Sequence, residues 1–234
     1  AGAIGWFAAI LLYKYRDVLR MPVGSVDSSG AMSGLAFYIR LITSLPLIAA
    51  FCYFALISGA LIGMQNFSAT ALVEIYNAPL YLATAGLTAF LGASAVGNLI
   101  GGELADRFQR HAVIATTGLT FSAICMAAIA FLPLSVPIII VLFGGVGFCG
   151  GATHASRDIL VRAAAPAGAT GKVFGFVYSG LDVGGALAPL LFGWLIDDGL
   201  YRGVFIAMTV MYLICILSVL QLKQGRAVIP AEAD

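Results

Sequence analysis

The chain has 234 residues, of which 61% are hydrophobic and 10% charged, with a formal net charge of +1. A soluble domain carries roughly 25% charged residues, so a water-soluble globule is excluded, and the near-neutral balance argues against a nucleic-acid partner. A mean hydropathy of +1.02 with 28 glycines indicates a polytopic helical membrane protein, and the lack of short alternating segments excludes an outer-membrane barrel.

In chain order, Ala1 to Tyr13 is apolar but shorter than the roughly 20 residues a bilayer crossing needs. Its basic residues Lys14, Arg16 and Arg20 follow the apolar stretch instead of preceding it, which is the wrong order for a signal peptide. Residues 1 to 13 are therefore expected to be the end of a truncated transmembrane helix. Residues 14 to 40, rich in Gly and Ser around Asp27, are expected to form a cytoplasmic linker with interfacial helical turns at its ends.

Uncharged runs then predict six full spans, near 41 to 73, 79 to 104, 112 to 132, 137 to 157, 173 to 196, and 203 to 222. The long run from Ala112 to Ser156 is divided at Leu132-Pro133-Leu134-Ser135-Val136-Pro137, where two prolines remove backbone donors. Residues 41 to 222 thus read as an all-α six-helix membrane bundle, followed by a cytoplasmic tail from 223 to 234. If alternate connections share a side, eleven of the twelve basic residues fall together and only Arg202 lies opposite. This asymmetry places the linker and the tail in the cytoplasm of a membrane such as the bacterial inner membrane.

Cys52, Cys125, Cys149 and Cys215 stand alone in apolar stretches, without a Cys-x-x-Cys pair or a His at ligand spacing, so no metal or other cofactor is expected. Nor is an intramembrane enzyme. Val177-Tyr178-Ser179-Gly180 lacks the first Gly of a Gly-x-Ser-Gly nucleophile site, and no His-Glu-x-x-His is present.

The most specific local feature is the short loop Gly101-Gly102-Glu103-Leu104-Ala105-Asp106-Arg107-Phe108-Gln109-Arg110-His111. Its Gly pair allows close helix approach, and its aspartate and basic residues can form either a latch of salt bridges or a positive-inside anchor. The stretch resembles the Gly-x-Leu-Ala-Asp-Arg-x-Gly-Arg-Arg loop of the major facilitator superfamily, in the copy between that family's eighth and ninth helices. It matches at Gly102, Leu104, Ala105, Asp106, Arg107 and Arg110, with His111 at the last basic position and Gln109 in place of the motif's Gly.

The resemblance covers essentially the whole chain and implies the C-terminal half of a twelve-helix transporter, from the end of helix six through helix twelve. Its implied partners are an N-terminal six-helix half, the lipid bilayer, a small-molecule substrate and, most simply, protons. It also implies that Asp106, Arg107 and Arg110 close and release the cytoplasmic side, with Arg157 or Arg162 as charge partners. The alternative is a non-transporting structural or regulatory membrane fragment.

Five polar residues are candidates for the substrate or proton route. Asp182 falls about 15 Å into its span, where a carboxylate costs of order 3 kcal/mol and usually faces a cavity. The bland alternative is a packing role through the helix backbone or Ser179, because Gly180, Gly184 and Gly185 make the same segment a close-packing surface. Gln65 and Asn66 carry amides that can orient a polar substrate, or lie at an outer helix end. Asn98 and Tyr178 are further candidates of the same kind. His154 is read as an interfacial or packing residue, and the Gly run from Gly144 to Gly151 as a close-packing face with no Lys-Ser/Thr to make it a phosphate cradle.

Overall fold

The computed structural model describes residues 44 to 108, 110 to 164 and 170 to 225. The expected helix stub, the linker and the tail beyond 225 lie outside the described residues. Within them the chain is helical, with no strand: α1 Leu45–Ile62, a π-helical turn Gly63–Phe67, α2 Ser68–Tyr76, α3 Leu80–Arg107, α4 His111–Phe131, α5 Val136–Ala164, α6 Thr170–Asp197 and α7 Tyr201–Gly225. Because α1, the π turn and α2 run on without a break, these make six helices long and apolar enough to cross a membrane.

Local chemistry sets the breaks. Asn77 ends α2 in the left-handed conformation at φ 48°, which Asn tolerates better than most residues. At the α4–α5 junction, α4 stops at Phe131 and α5 starts at Val136 with Pro137 in its first turn, where a missing donor costs nothing. After α6, Gly199 takes φ +71°, and the Leu200 amide donates back to the Leu195 carbonyl at 2.8 Å. The Tyr76 hydroxyl lies 2.6 and 2.8 Å from the Ile129 and Leu132 carbonyls, satisfying acceptors that the end of α4 leaves open. The structure departs from expectation at the α5–α6 return. Both helices extend past the expected spans: α5 continues to Ala164 instead of ending near 157, and α6 begins at Thr170 instead of near 173.

Glycines decide which helices meet closely. Gly97 and Gly101 of α3 lie on the α5 backbone at Phe148 and Ala152, while Gly147 and Gly151 of α5 lie on α3 at Phe90 and Ser94. Each helix therefore offers a Gly-x-x-x-Gly face to the other, and the two run parallel. Likewise Gly180 and Gly184 of α6 rest on Phe51 and Ala55 of α1, again in parallel. The two most extensive helix pairings are these, α3 with α5 and α1 with α6. Helix α7 packs against α1 just as α4 packs against α5, and α4 meets α7. Exchanging α1 with α5, α3 with α6 and α4 with α7 leaves this pattern unchanged. Since α1 and α5 run in opposite directions, the six spans form a three-plus-three inverted repeat.

Phe54, Phe143, Phe192, Phe205, Met126 and Met208 fill the interior, whereas Leu99, Val141 and Leu190 are at least 70% exposed. An apolar outside is what a bilayer solvates, so the pattern reads as an integral membrane bundle rather than an uncovered core.

Candidate functional site: a polar cavity among the helices

A partly open cavity of about 190 Å³ lies among the helices, and every one of the six spans contributes to its wall. Leu61 and Leu91, both exposed, stand on that wall, so the space is a cleft that opens to the outside. Helix α5 supplies the longest stripe: Val146, Cys149, Gly150, Thr153, His154 and Arg157 recur at three- and four-residue spacing along one face. Facing it are Tyr53, Ser58 and Gln65 of the first span, Ser94 of α3, Ser122 of α4, Leu181 of α6 and Tyr212 of α7.

Half of the hydroxyls on this wall are already committed. Ser58 donates to the Leu181 carbonyl at 2.8 Å, tying α1 to α6, while Ser122 and Thr153 donate within their own helices to Gly118 and Gly150 at 2.9 Å. The Tyr53 and Tyr212 hydroxyls, Ser94 and the Gln65 amide form no side-chain hydrogen bond with a described residue, so they are open to a ligand. His154 Nδ1 lies 2.8 Å from Asn98 Oδ1, which joins α5 to α3 at the cavity edge.

Among the described residues Arg157 is the one formally charged group on the wall. Its Nε donates to Asp158 Oδ1 at 3.0 Å, and its guanidinium carbon sits 4.6 Å from the centre of the Phe54 ring. The Arg157 side chain is only 14% exposed, and such a cation needs both a counter-charge and packing to be held there. Phe54 in turn meets Tyr178 at 4.9 Å between ring centres, and Tyr178 lies close enough to Arg157 and Asp158 for its hydroxyl to couple to both charges.

The residues singled out from sequence are distributed as follows. Gln65 lines the cavity, Asn98 reaches it through His154, and Tyr178 supports Arg157 from behind. Asn66 is exposed beside the π turn, and Asp182 is exposed on α6, away from the cavity wall. In the α3–α4 loop, Arg107 makes a surface ion pair with Glu103 at 2.7 Å, and Asp106 and Arg110 are exposed without an ion-pair partner among the described residues. Gly101 packs on Ala152, but Gly102 faces open space. Arg162 sits in the last turn of α5. Arg157, one of the two expected charge partners of the loop, is paired here with its neighbour Asp158. Sequence reading missed Tyr53, Ser94, Ser122, Tyr212 and Asp158. The available signal was the helical stripe ending at Arg157, which places that residue on the same face as Thr153 and His154.

Six apolar helices in an inverted repeat, lining a partly open cavity with open polar groups, define an integral membrane protein. A family model described as Major Facilitator Superfamily matches residues 47–232, and the chain belongs to that family. No curated protein matches the chain. Membership makes this a membrane transport protein, whose partners are the lipid bilayer and a small-molecule substrate.

Proposed function

We propose that the chain forms part of a secondary active transporter that moves a small molecule by alternating access, with an ion gradient, most simply of protons, as the drive. The observation that carries this reading is the cavity built from all six spans of an inverted repeat, since two packed repeats that can rock against each other supply the two access states. The basic face, with the α3–α4 connection and the end of α7, is cytoplasmic in this reading. Asp106, Arg107, Arg110 and Arg162 gate that side, and Gln65, Asn98 and Tyr178 serve the route. Asp182 and Asn66 face outward from this bundle, toward the second six-helix half that the resemblance implies.

Cys149 lines the cavity and offers a direct test. With Cys149 as the only cysteine of the full-length protein in sealed vesicles, a membrane-impermeant maleimide should label it from each face. Conditions that favour one face should slow labelling from the other. Labelling from one face only, whatever the conditions, would overturn alternating access.

A further inference from the structure

We propose that the cavity recognises an oxyanion, a carboxylate or phosphate group seated against the terminal nitrogens of Arg157. This rests on the transport reading of the cavity and adds the substrate class. Three observations converge. First, no acidic side chain lines the cavity among the described residues, so the charged atoms the wall presents are those of Arg157, with its counter-ion Asp158 off the wall. Second, the guanidinium is fixed in place: Asp158 holds Nε at 3.0 Å and the Phe54 ring lies 4.6 Å beneath. That ion pair takes the side of the fork, and the two terminal nitrogens make no ion pair with a described residue, while the Tyr178 hydroxyl is within hydrogen-bonding reach of the pair. A guanidinium has more N–H donors than these partners use, so a carboxylate or phosphate oxygen can still be met by a charge-assisted hydrogen bond.

Third, the cavity that Arg157 lines keeps open hydroxyls that can donate to an oxyanion. Tyr53 and Tyr212 are nearly buried, at 2% and 6% exposure, and their hydroxyls bond to no described residue. By contrast, the Ser58, Ser122 and Thr153 hydroxyl protons are already directed at helix carbonyls. A cation entering here would meet Arg157 and find no carboxylate on the wall, whereas an oxyanion would meet a fixed cation and open O–H groups.

The test is protection of Cys149 from the uncharged reagent N-ethylmaleimide, in the full-length protein with Cys149 as its only cysteine. Succinate and inorganic phosphate are the oxyanion probes, with choline and glucose as the cationic and neutral ones. At a concentration about nine times its Kd, an oxyanion should slow alkylation about ten-fold by occupancy. Arg157→Gln should raise the half-protecting concentration about ten-fold or more, because a charge-assisted hydrogen bond is lost. The double variant Arg157→Gln/Asp158→Asn removes both charges of the pair together and should lose protection equally, while Tyr212→Phe should weaken it and leave the pair intact. Protection by either oxyanion that depends on Arg157 supports the proposal, and the probe that protects identifies the group. Protection by choline or glucose with none by the oxyanions overturns it and leaves the transport reading standing. Oxyanion protection that survives both Arg157 variants, or an absence of protection by any probe, overturns it as well. A Cys149 that no reagent reaches removes the transport reading and the proposal together.

Discussion

Gly151 of α5 lies against the Ser94 carbonyl of α3, and a β-carbon there would also come within 2.8 Å of the Asn98 nitrogen. Both obstacles are backbone, so a methyl group can fit only if the two helices separate. Overpacking of this kind costs about 1–3 kcal/mol. Gly151→Ala should therefore lower the unfolding midpoint in mixed micelles. Gly92→Ala, on the same α3 helix with nothing within 4 Å of the added carbon, should be neutral or stabilising by up to about 1 kcal/mol. Equal midpoints for the two variants would show that the close approach does not limit packing.

The spans were legible in the sequence because hydrocarbon solvent imposes a length on every helix, and the prolines at 133 and 137 mark the one place where an uncharged run holds two spans. The order of spans fits a three-plus-three inverted repeat, but no residue-level repeat was legible. The repeat is carried by small residues, Gly97 and Gly101 matched with Gly180 and Gly184, whose meaning lies in the backbone they touch rather than in their own chemistry. The cavity was only partly legible. Charges and amides stand out in an apolar chain, so Gln65 and Asp182 drew attention equally, but whether a side chain points inward depends on helix rotation. Tyr53 and Tyr212 look like ordinary core aromatics until six spans are assembled, and Arg157 reads as an anchor until Asp158 and Phe54 hold it inward.

The contact between His154 Nδ1 and Asn98 Oδ1, at 2.8 Å, bridges two helices already held by glycine packing. Interhelical hydrogen bonds in membranes average about 0.6 kcal/mol and reach about 1.7. A double-mutant cycle with His154→Ala and Asn98→Ala should give a coupling energy in that range, read from unfolding equilibria. A coupling of zero would mean that water satisfies both groups equally well in the separated state.

The π turn begins at Gly63. A β-carbon at that position would lie 2.5 Å from the Phe192 ring, which is fully buried and packs on Phe67 at 5.6 Å between ring centres. Gly63→Ala must push that ring aside, and it should destabilise the bundle by about 1–3 kcal/mol. Phe192→Ala should cost more, about 3–5 kcal/mol, through the space it leaves. The double variant is the informative one, because the smaller residue at 192 makes room for the new methyl group. The pair should therefore be less destabilised than the sum of the two single changes, and simple additivity would dissociate Gly63 from the ring.

Asp106 stands at the end of α3, where the helix dipole disfavours a negative charge, and it is exposed. Such a placement destabilises the helix locally and makes sense if the carboxylate finds a partner in another conformation. Asp106→Asn should then impair conformational switching more than ligand binding: Cys149 labelling should become biased toward one face while its protection by ligand is retained. Unaltered transport kinetics would reduce the loop to an anchor. Glu103→Gln, which removes only the exposed pair with Arg107, should change stability by no more than about 1 kcal/mol.

Asp182 poses a sharper alternative, because it lies 12 residues into α6, about 18 Å along the helix, and is exposed on the bundle surface. Facing hydrocarbon at that depth would cost about 3 kcal/mol, so the carboxylate is stable only if protein or water covers it. If it takes part in proton coupling, Asp182→Asn in the full-length protein should abolish substrate-coupled proton movement in vesicles without lowering expression. Asp182→Leu should then be no more stable than the wild type, because the polar surroundings of the carboxylate lose their partner. If the residue simply faces lipid, the same Leu variant should gain about 3 kcal/mol and coupling should be unchanged. The two variants thus separate a residue on the proton route from a tolerated surface charge, and unchanged coupling in Asp182→Asn would take Asp182 out of the mechanism.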